Sequence, residues 1–360
     1  MKPIARLTFA ALSAPLAVSA PLVVGASDAA AQTAYTVVMT GLDNPRGLAF
    51  APNGALWVTE AGRGGSGPCA MNANGENRCY GNTGAVSQLW NGKQSRVAEG
   101  MPSHALPDGS TAGGANGISF QGNAYIALGL GGGIEYAEIL GSDFLGTLIV
   151  MTSSGRWKVN SDVAVHEFDE NPAGGPIDSN PFGVLAEPGG RLVVDAGANA
   201  LLSARPNGTV ETLAVFPPMP NPTPVGPPVI EAVPTSVARG PDGALYVGQL
   251  TGAPMVQRLA NIYHMVPGQS PVVHCSGFKT IISIAFGPGG DLYVVEHATG
   301  GLFFPPNSGR LSRVAPNCAR VPVLEGLDRP TAVAIGPDGA LYVTNHGITP
   351  GAGEVLKIAP

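Results

Sequence analysis

The chain has 360 residues, of which 44% are hydrophobic and only 12% are charged, and its formal net charge is −6. This weak negative charge argues against nucleic acid or an anionic membrane surface as a partner. The 51 glycines and 34 prolines accompany hydrophobic residues in short regular runs, a combination that is typical of turn-rich all-β proteins rather than of disordered chains.

The first 31 residues have the features of a secretory signal peptide. Lys2 and Arg6 supply a positive start, an apolar stretch follows as far as about residue 26, and Ala29 and Ala31 fit the small residues that precede cleavage. A membrane anchor is the less favoured alternative because two prolines interrupt the stretch. We therefore expect a secreted protein, with residues 32–360 forming one domain that has no membrane span.

Six copies of one sequence unit follow the signal. The unit GLDNPRGLAFAPNGALWVTEAG at residues 41–62 closely matches GLDRPTAVAIGPDGALYVTNHG at residues 326–347. Each copy has a small apolar strand, a tight turn such as Asn-Gly or Asp-Gly, and a second strand rich in β-branched and aromatic residues. With two further strands in most copies, the pattern predicts an all-β, six-bladed β-propeller whose blades begin near residues 46, 116, 182, 235, 282 and 331.

The last copy lacks its fourth strand. Residues 34–46 parallel residues 318–331, which cross from the fourth strand of one copy into the first strand of the next. We therefore expect residues 35–40 to complete the last blade and to close the ring, which would remove open sheet edges. An open solenoid with an unpaired end is the less favoured alternative.

The cysteines indicate disulfide bonds, because their number is even and the chain is expected to be exported. Cys69 and Cys79 are close together in one Gly-rich loop and are the favoured pair. Cys275 and Cys318 occupy comparable outer-strand positions in adjacent copies and are the second candidate pair. The CxxC spacing of structural zinc sites is absent, so we expect no metal there.

The lengths of the connections distinguish two faces of the predicted ring. The turns between first and second strands are short, whereas every long insertion falls between second and third strands or between copies. We expect the loop-rich face to be the working surface, although loops that only cover the channel would give the same pattern.

A ring of acidic and amide residues is predicted where the second strands end, at Glu60, Asp195, Gln249, Glu296 and Asn345. We interpret it as structural, with side chains that accept backbone N–H groups at the turn from strand to loop. A cation such as calcium, held by the same oxygens, is the alternative.

Four other residues are candidates for ligand binding. Arg46 and Asn116 begin first strands and face the channel, and the segment PIDSNPFG brings Asp178 and Asn180 above the third blade. We predict that these four residues bind a ligand at the channel mouth. Catalytic residues stay unknown, since the sequence has no GxSxG nucleophile motif and its six histidines lack metal-ligand spacing.

Several segments resemble the ScyD/ScyE family of exported propellers, which are named after proteins associated with scytonemin pigment biosynthesis. They are GLDNPRGLAFAPNGALWVTEAGRGGSGPC, CYGNTGAV, DSNPFGVLAEPGGRLVVDAGANALL, VPTSVARGPDGALYVGQLTG and GEVLKI. The resemblance covers nearly all of the mature chain and implies a pathway association rather than a defined reaction.

The repeats are more distantly similar to NHL-type, gluconolactonase-type and strictosidine-synthase-like propellers. The gluconolactonase resemblance implies a calcium ion held at the starts of the inner strands, which here are Arg46, Asn116, Phe182, Thr235, Ile282 and Thr331. Only Asn116 suits calcium, and Arg46 would repel it. We therefore expect no cofactor, with calcium as the alternative.

Two functions remain open at this point. The favoured one is a monomeric exported propeller that binds a small molecule or a protein through its loop-rich face. The alternative is a hydrolase or lyase that acts on a small molecule at the channel mouth, with or without calcium. Binding is favoured because the sequence brings together no evident set of acid, base and metal ligands.

Overall fold

The computed structural model describes residues 34–360, so the predicted signal peptide lies outside the described residues. Six antiparallel sheets form the blades of a β-propeller, as expected. Their inner strands contact one another in the order of the chain, and the last contacts the first. None of the helices in residues 34–360 is long and apolar enough to cross a membrane.

The first strand, β1 (Tyr35–Leu42), belongs to the last blade, and the first two blades follow it. Blade 1 contains β2 (Pro45–Phe50), β3 (Leu56–Glu60), β4 (Cys69–Met71), β5 (Asn77–Trp90) and β6 (Lys93–Ala105). Blade 2 contains β7 (Ala115–Gln121), β8 (Asn123–Leu128), α1 (Ile134–Leu140), β9 (Thr147–Met151), β10 (Trp157–Asp162) and, after its last strand, α2 (Val163–Glu170).

The remaining blades are more regular. Blade 3 contains β11 (Pro181–Glu187), β12 (Gly190–Asp195), β13 (Ala200–Ala204) and β14 (Val210–Val215). A two-stranded ribbon of β15 (Met219–Pro220) and β16 (Val229–Ile230) precedes blade 4. Blade 4 contains β17 (Pro234–Arg239), β18 (Leu245–Gln249), β19 (Ala260–Met265) and β20 (Val272–Phe278). Blade 5 contains β21 (Ile281–Phe286), β22 (Leu292–Glu296), β23 (Gly309–Val314) and β24 (Arg320–Leu327), and blade 6 contains β25 (Val333–Ile335), β26 (Leu341–Asn345) and β27 (Gly353–Ile358).

The turns between first and second strands explain why the repeat folds locally as a hairpin. In blade 1 the Asn53 side chain accepts the backbone N–H of Ala55 at 3.1 Å, and Gly54 has a φ of 84°. A residue with a side chain is strained at such a φ, so the position favours glycine. Blade 4 repeats this geometry at Asp242 and Gly243.

Strand β1 closes the ring, which confirms the expected closure. It pairs antiparallel with β27, with Tyr35 opposite Ile358 and Leu42 opposite Gly353. Met39 and Leu42 are each 1% exposed and pack in the apolar core between blades 6 and 1. Strand β1 thus supplies both the fourth strand of the last blade and part of the apolar core.

Apolar side chains between neighbouring blades form the cores of the propeller. Between blades 1 and 2, for example, Trp57 and Val86 pack with Ile126 and Ile149, and three of these four side chains are completely buried. Burial of this kind, repeated around the ring, supplies most of the driving force for folding.

Both predicted disulfides are present. Cys69–Cys79 joins β4 to β5 within the insertion of blade 1, and Cys275–Cys318 joins β20 of blade 4 to the turn after β23 of blade 5. The second bond therefore adds a covalent link between two blades that also share hydrogen bonds, such as that from the Thr235 hydroxyl to the carbonyl oxygen of Ile281.

Helices α1 and α2 were not predicted, and both lie in insertions on the loop-rich face. Helix α2 begins after Asp162, whose side chain accepts the N–H of Val165, and it ends at Asn171 in the left-handed conformation. Helix α1 ends at Gly141, which is also left-handed. These ends satisfy free backbone groups in the way that is usual for short helices.

Candidate functional site

Four side chains that end second strands accept backbone N–H groups, and for three of them the donor lies in the segment that leads into the same blade. The pairs are Glu60 with Asp43, Gln249 with Asn261, Glu296 with Lys279 and Asn345 with Asp328, at N···O distances of 2.8 to 3.1 Å. In Gln249 the donor is instead in the following strand, β19. Buried acceptors of this kind determine the residue at which a strand ends and a loop begins.

Asp195 has the most hydrogen bonds of this ring. Its Oδ1 accepts the N–H groups of Asn180, Gly197 and Ala198 at 2.6, 3.1 and 3.1 Å, and its Oδ2 accepts the Ser179 hydroxyl at 2.7 Å. The side chain is fully buried, and burial raises its pKa in spite of these bonds. Asp195 therefore holds the crossover segment around residue 179 against the end of β12.

Arg46 lies at the loop-rich end of the central channel, where it links two loops. Its guanidinium donates to the carbonyl oxygen of Ala112 at 2.6 Å and to that of Gly347. Burial, followed by the nearby charge of Arg78, lowers the Arg46 pKa to about 10, so the group remains a cation at neutral pH. The connection between blades 1 and 2 and the last loop of blade 6 are thereby joined. A contact of Arg46 with a ligand stays a prediction.

Asn116 and Asn180 meet between blades 2 and 3 rather than in an open cavity. Asn116 is 2% exposed, and its amide donates to the carbonyl of Pro181 at 3.0 Å. A Cβ at Gly129 would overlap the amide groups of both asparagines, so a glycine is needed there. Their predicted role in binding is not tested by these contacts.

The central channel does not offer a calcium ligand set. It has a volume of about 510 Å³ and is lined largely by apolar residues of the inner strands. Arg46 brings a positive charge to its loop-rich end, and the Asn116 amide is engaged with Pro181. Hard cations prefer several converging oxygen ligands, so these residues do not fit the ion that the gluconolactonase resemblance implies.

A second cavity, of about 580 Å³, lies on the loop-rich face among the insertions of blades 1, 2 and 3. We call it the acidic pocket. Its walls are the loop after β4, both helices, the segment 173–178, the β12–β13 connection and one residue before blade 4. Its lining includes four carboxylic acids and no Lys, Arg or His; the acids are Glu135, Glu167, Asp178 and Glu231.

Glu167 and Asp178 line this pocket, and each has one buried carboxyl oxygen that no described residue satisfies. Glu167, on α2, is 2% exposed, and its Oε2 has no hydrogen-bond partner. Oδ1 of Asp178 is also buried and also lacks a partner. Burial and the charge of Asp195 raise the pKa of each group to about 7. Buried acceptors without partners are unfavourable and call for an explanation.

Hydrogen bonds hold two further polar side chains of the acidic pocket, Asn199 and Tyr136, in place. The Asn199 amide donates to Glu231 at 2.8 Å, while its oxygen accepts the N–H of Val233 at 2.8 Å. The Tyr136 hydroxyl lies 3.0 Å from Nδ1 of His104. Burial, followed by the charge of Arg78, lowers the His104 pKa to about 3, so this histidine supports Tyr136 as a neutral ring.

Apolar side chains form the rim of the acidic pocket. Met71, Ile139 and Phe168 line it, and each is more than half exposed to solvent. Exposed apolar groups around a concave polar site are typical of ligand-binding surfaces.

The four predicted binding residues therefore do not form one site. Asp178 lines the acidic pocket, Arg46 lines the channel, and Asn116 and Asn180 are packed beneath Gly129. Glu167, Asn199 and Glu231, which also line the acidic pocket, were not predicted from the sequence. Helix signals around α2 could have drawn attention to Glu167, because Asp162 precedes the segment and Asn171–Pro172 ends it.

Among residues 34–360, one group of three potential metal-ligand side chains has all its ligand atoms within 4.8 Å of one another, namely His274, Cys275 and Cys318. The two cysteines form a disulfide, so they supply no thiolate for a metal ion.

Comparisons with known proteins identify the fold. No family model and no curated protein matches the chain. Among solved structures, it is similar to a putative oxidoreductase (glucose dehydrogenase) of Thermus thermophilus, with a TM-score of 0.56 and 18% identity over 91% of this chain and 99% of that one. A protein of unknown function from Bacteroides thetaiotaomicron gives a TM-score of 0.54 and 11% identity over 91% of this chain and 72% of that one.

A putative gluconolactonase gives a TM-score of 0.49 and 12% identity over 91% of this chain and 93% of that one. These neighbours are propellers of the six-bladed type. At such low identity, the two structures with TM-scores of 0.56 and 0.54 show the shared fold and leave activity open.

Replacing Glu167 by Gln is expected to stabilise the protein at pH 8.5 by about 1–2 kcal/mol after allowance for partial solvent screening. The folded state keeps the Glu167 proton up to a pKa of about 7, whereas the unfolded chain releases it near the ordinary value of 4.5. The folded state thus binds more protons across this window, and the free energy of unfolding of the parent protein falls as pH rises from about 4.5 to 7.

Thermal melting at pH 4.5 and pH 8.5 measures this effect, with Glu170→Gln at an exposed position of the same helix as the control. The gain for Glu167→Gln should appear at pH 8.5 and be small at pH 4.5. Equal melting temperatures of the variant and the parent at both pH values would show that the buried carboxyl does not ionise unfavourably.

Proposed function

We propose that this protein is an exported six-bladed β-propeller that binds a small molecule in the acidic pocket. The observation that supports this most is that Glu167 and Asp178, which each have one buried oxygen without a partner, line a cavity of about 580 Å³. Binding pockets for small molecules usually have this size and combine an apolar wall with a few directed polar groups. If the two carboxyl groups rotate toward the cavity, a ligand with hydrogen-bond donors would satisfy both oxygens.

Export is part of the same proposal. Two disulfides favour an oxidising compartment, and the N-terminal residues have the composition of a signal peptide. Membership of the ScyD/ScyE family, suggested by the sequence motifs, is compatible with an exported binding protein. We also propose a monomer, which is supported by closure of the ring by the protein's own β1, since no blade then requires a strand from a second copy.

A hydrolase or lyase activity is the second candidate, and one observation favours it. Glu167 and Asp178 both titrate near pH 7 in one pocket, which suits groups that exchange protons during a reaction. The lining of the pocket contains no Ser, Thr, Cys, His or Lys, so that only carboxylates and the Tyr136 hydroxyl are available as nucleophiles. We therefore favour binding.

A fragment screen by ligand-observed NMR tests the proposed function. Fragments that bind the parent protein should lose their saturation-transfer signal with Phe168→Ala and Asp178→Asn, because both side chains line the acidic pocket. Phe144→Ala and Asp143→Asn are matched controls outside the pocket lining, and they should retain the signal. Signals that persist in both pocket variants would mean that the ligand binds elsewhere, and conversion of a bound fragment into a product would favour the enzyme.

A further inference from the structure

The charge of the acidic pocket restricts what can bind there. Asp178, Asp195 and Glu231 act on Glu167 or Asp178 as like charges, and each raises the pKa of its neighbour. Glu135 and Tyr136 face the pocket from α1, and the nearby cation Arg78 is paired with Glu76. The ionised carboxylates of the pocket are thus not neutralised by any lining side chain, and an anionic ligand would be repelled.

Geometry argues against a metal ion as the missing positive charge. A hard cation needs several oxygens around one point. In the described part of the chain, no three of these carboxylates have oxygens within 4.8 Å of one another. Two carboxyl groups without a third oxygen ligand close by suit a larger cation that has several N–H groups.

The apolar rim indicates the rest of the ligand. Ile139 and Phe168 are exposed at the edge of the pocket, and Met71 extends the same surface. A wholly polar cation would leave these side chains in water, whereas an apolar body next to the charged head would cover them. The cavity volume accommodates a molecule of that size.

We infer that the ligand is a small organic cation, in which an apolar body carries a protonated amine or amidine. Its N–H groups donate to Glu167 and Asp178, and its body covers Ile139 and Phe168. This inference rests on the proposed function, since it names the ligand class of the same pocket.

Proton release accompanies binding of such a cation. The ligand and the protons compete for the same carboxyl oxygens, so the affinity rises as pH increases through about 7. At pH 5.5 both carboxyls are mostly protonated, and at pH 8.5 they are mostly ionised. We expect the dissociation constant to fall at least about tenfold between these values.

Three probes of similar size separate the contributions of charge and apolar contact: 2-phenylethylammonium, 2-phenylethanol and 3-phenylpropanoate. Titrations followed by protein NMR at pH 5.5, 7.0 and 8.5 give their dissociation constants. The ammonium probe keeps its charge throughout this range. At pH 8.5 it should bind at least about tenfold more tightly than the alcohol, and the carboxylate should bind most weakly.

Variants test whether the acidic pocket is responsible for the preference for the ammonium probe. Glu167→Gln should weaken binding of 2-phenylethylammonium about tenfold at pH 8.5, and combining it with Asp178→Asn should abolish the pH dependence. The control Glu170→Gln lies on the exposed side of the same helix and should bind like the parent protein. Melting curves of each variant show that it is folded, so that a loss of affinity reports on the pocket.

The outcomes distinguish this inference from the proposed function. If the alcohol binds as tightly as the ammonium probe and Phe168→Ala weakens both, the pocket binds small molecules but the cation class is wrong. The same conclusion holds if 3-phenylpropanoate binds most tightly. If none of the probes binds, the cation inference is overturned, and the fragment screen decides separately whether the pocket binds anything.

Discussion

Deletion of residues 32–41 is expected to lower the melting temperature by about 10 °C or more, or to cause aggregation. The deletion removes most of β1, including Met39, which is 1% exposed in the core between blades 6 and 1. It also exposes the edge of β27, whose partner is β1. Free strand edges promote pairing between molecules, so light scattering should increase along with the loss of thermal stability.

Point substitutions on the same strand provide a matched test. Met39→Asp places a charge in the core and should reproduce most of the loss, because a buried charge without a partner is highly unfavourable. Val37→Asp changes an exposed position, at 43% exposure, and should have a small effect. Equal melting temperatures for the deletion and the parent protein would mean that the ring is stable without β1.

Replacement of Asp195 by Ala should destabilise the protein by about 3 kcal/mol or more. The substitution leaves the N–H groups of Asn180, Gly197 and Ala198, and the hydroxyl of Ser179, without their acceptor. Asp195→Asn keeps one carbonyl oxygen for the backbone donors and should retain most of the stability. Chemical unfolding at pH 7 measures the difference between the two variants.

The same substitution should also affect the acidic pocket. The charge of Asp195 contributes to the raised pKa of Glu167 and of Asp178. Its removal in either Asp195 variant should lower both pKa values, which NMR titration of the side-chain carboxyl carbons can follow in the folded Asn variant. An Ala variant as stable as the parent would contradict the structural role predicted for this ring.

The fold could be predicted because the same sequence unit occurs in six copies. Each copy has its own Asn-Gly or Asp-Gly turn and its own alternating strands, so one weak copy such as residues 115–131 is identified by comparison with the others. The closure by β1 was predictable for the same reason, since residues 34–46 match a junction between two blades. The two disulfide pairs could be predicted from the spacing of the cysteines and from their positions in the repeat.

The acidic pocket could not be predicted in this way because it is built from segments outside the repeat. Its walls include α1, α2 and the segment 173–178, each of which occurs once in the chain. Their positions depend on tertiary packing, for example of Leu140 and Ala164 in one small core. Sequence patterns identify an insertion but do not tell which insertions meet above the ring.

Individual residues show the same limit. Glu167 follows Val163 and Ala164 on the buried side of α2, a position where an apolar residue is usual, but this anomaly is visible only once the helix is recognised. Arg46 was identified as facing the channel, yet its carbonyl acceptors, Ala112 and Gly347, lie in loops that are far away in the sequence. The sequence alone does not reveal such partners.

The pairing of β1 with β27 also determines how the molecule can be attached to a surface. Tyr35 lies opposite Ile358, and Pro360 lies near the short turn at Gly339. The two ends of the ladder therefore emerge side by side on the face of short turns, whereas the acidic pocket opens on the opposite face. A tether joined to either end would leave the pocket directed toward the surrounding medium, so immobilisation should leave the proposed ligand binding unchanged.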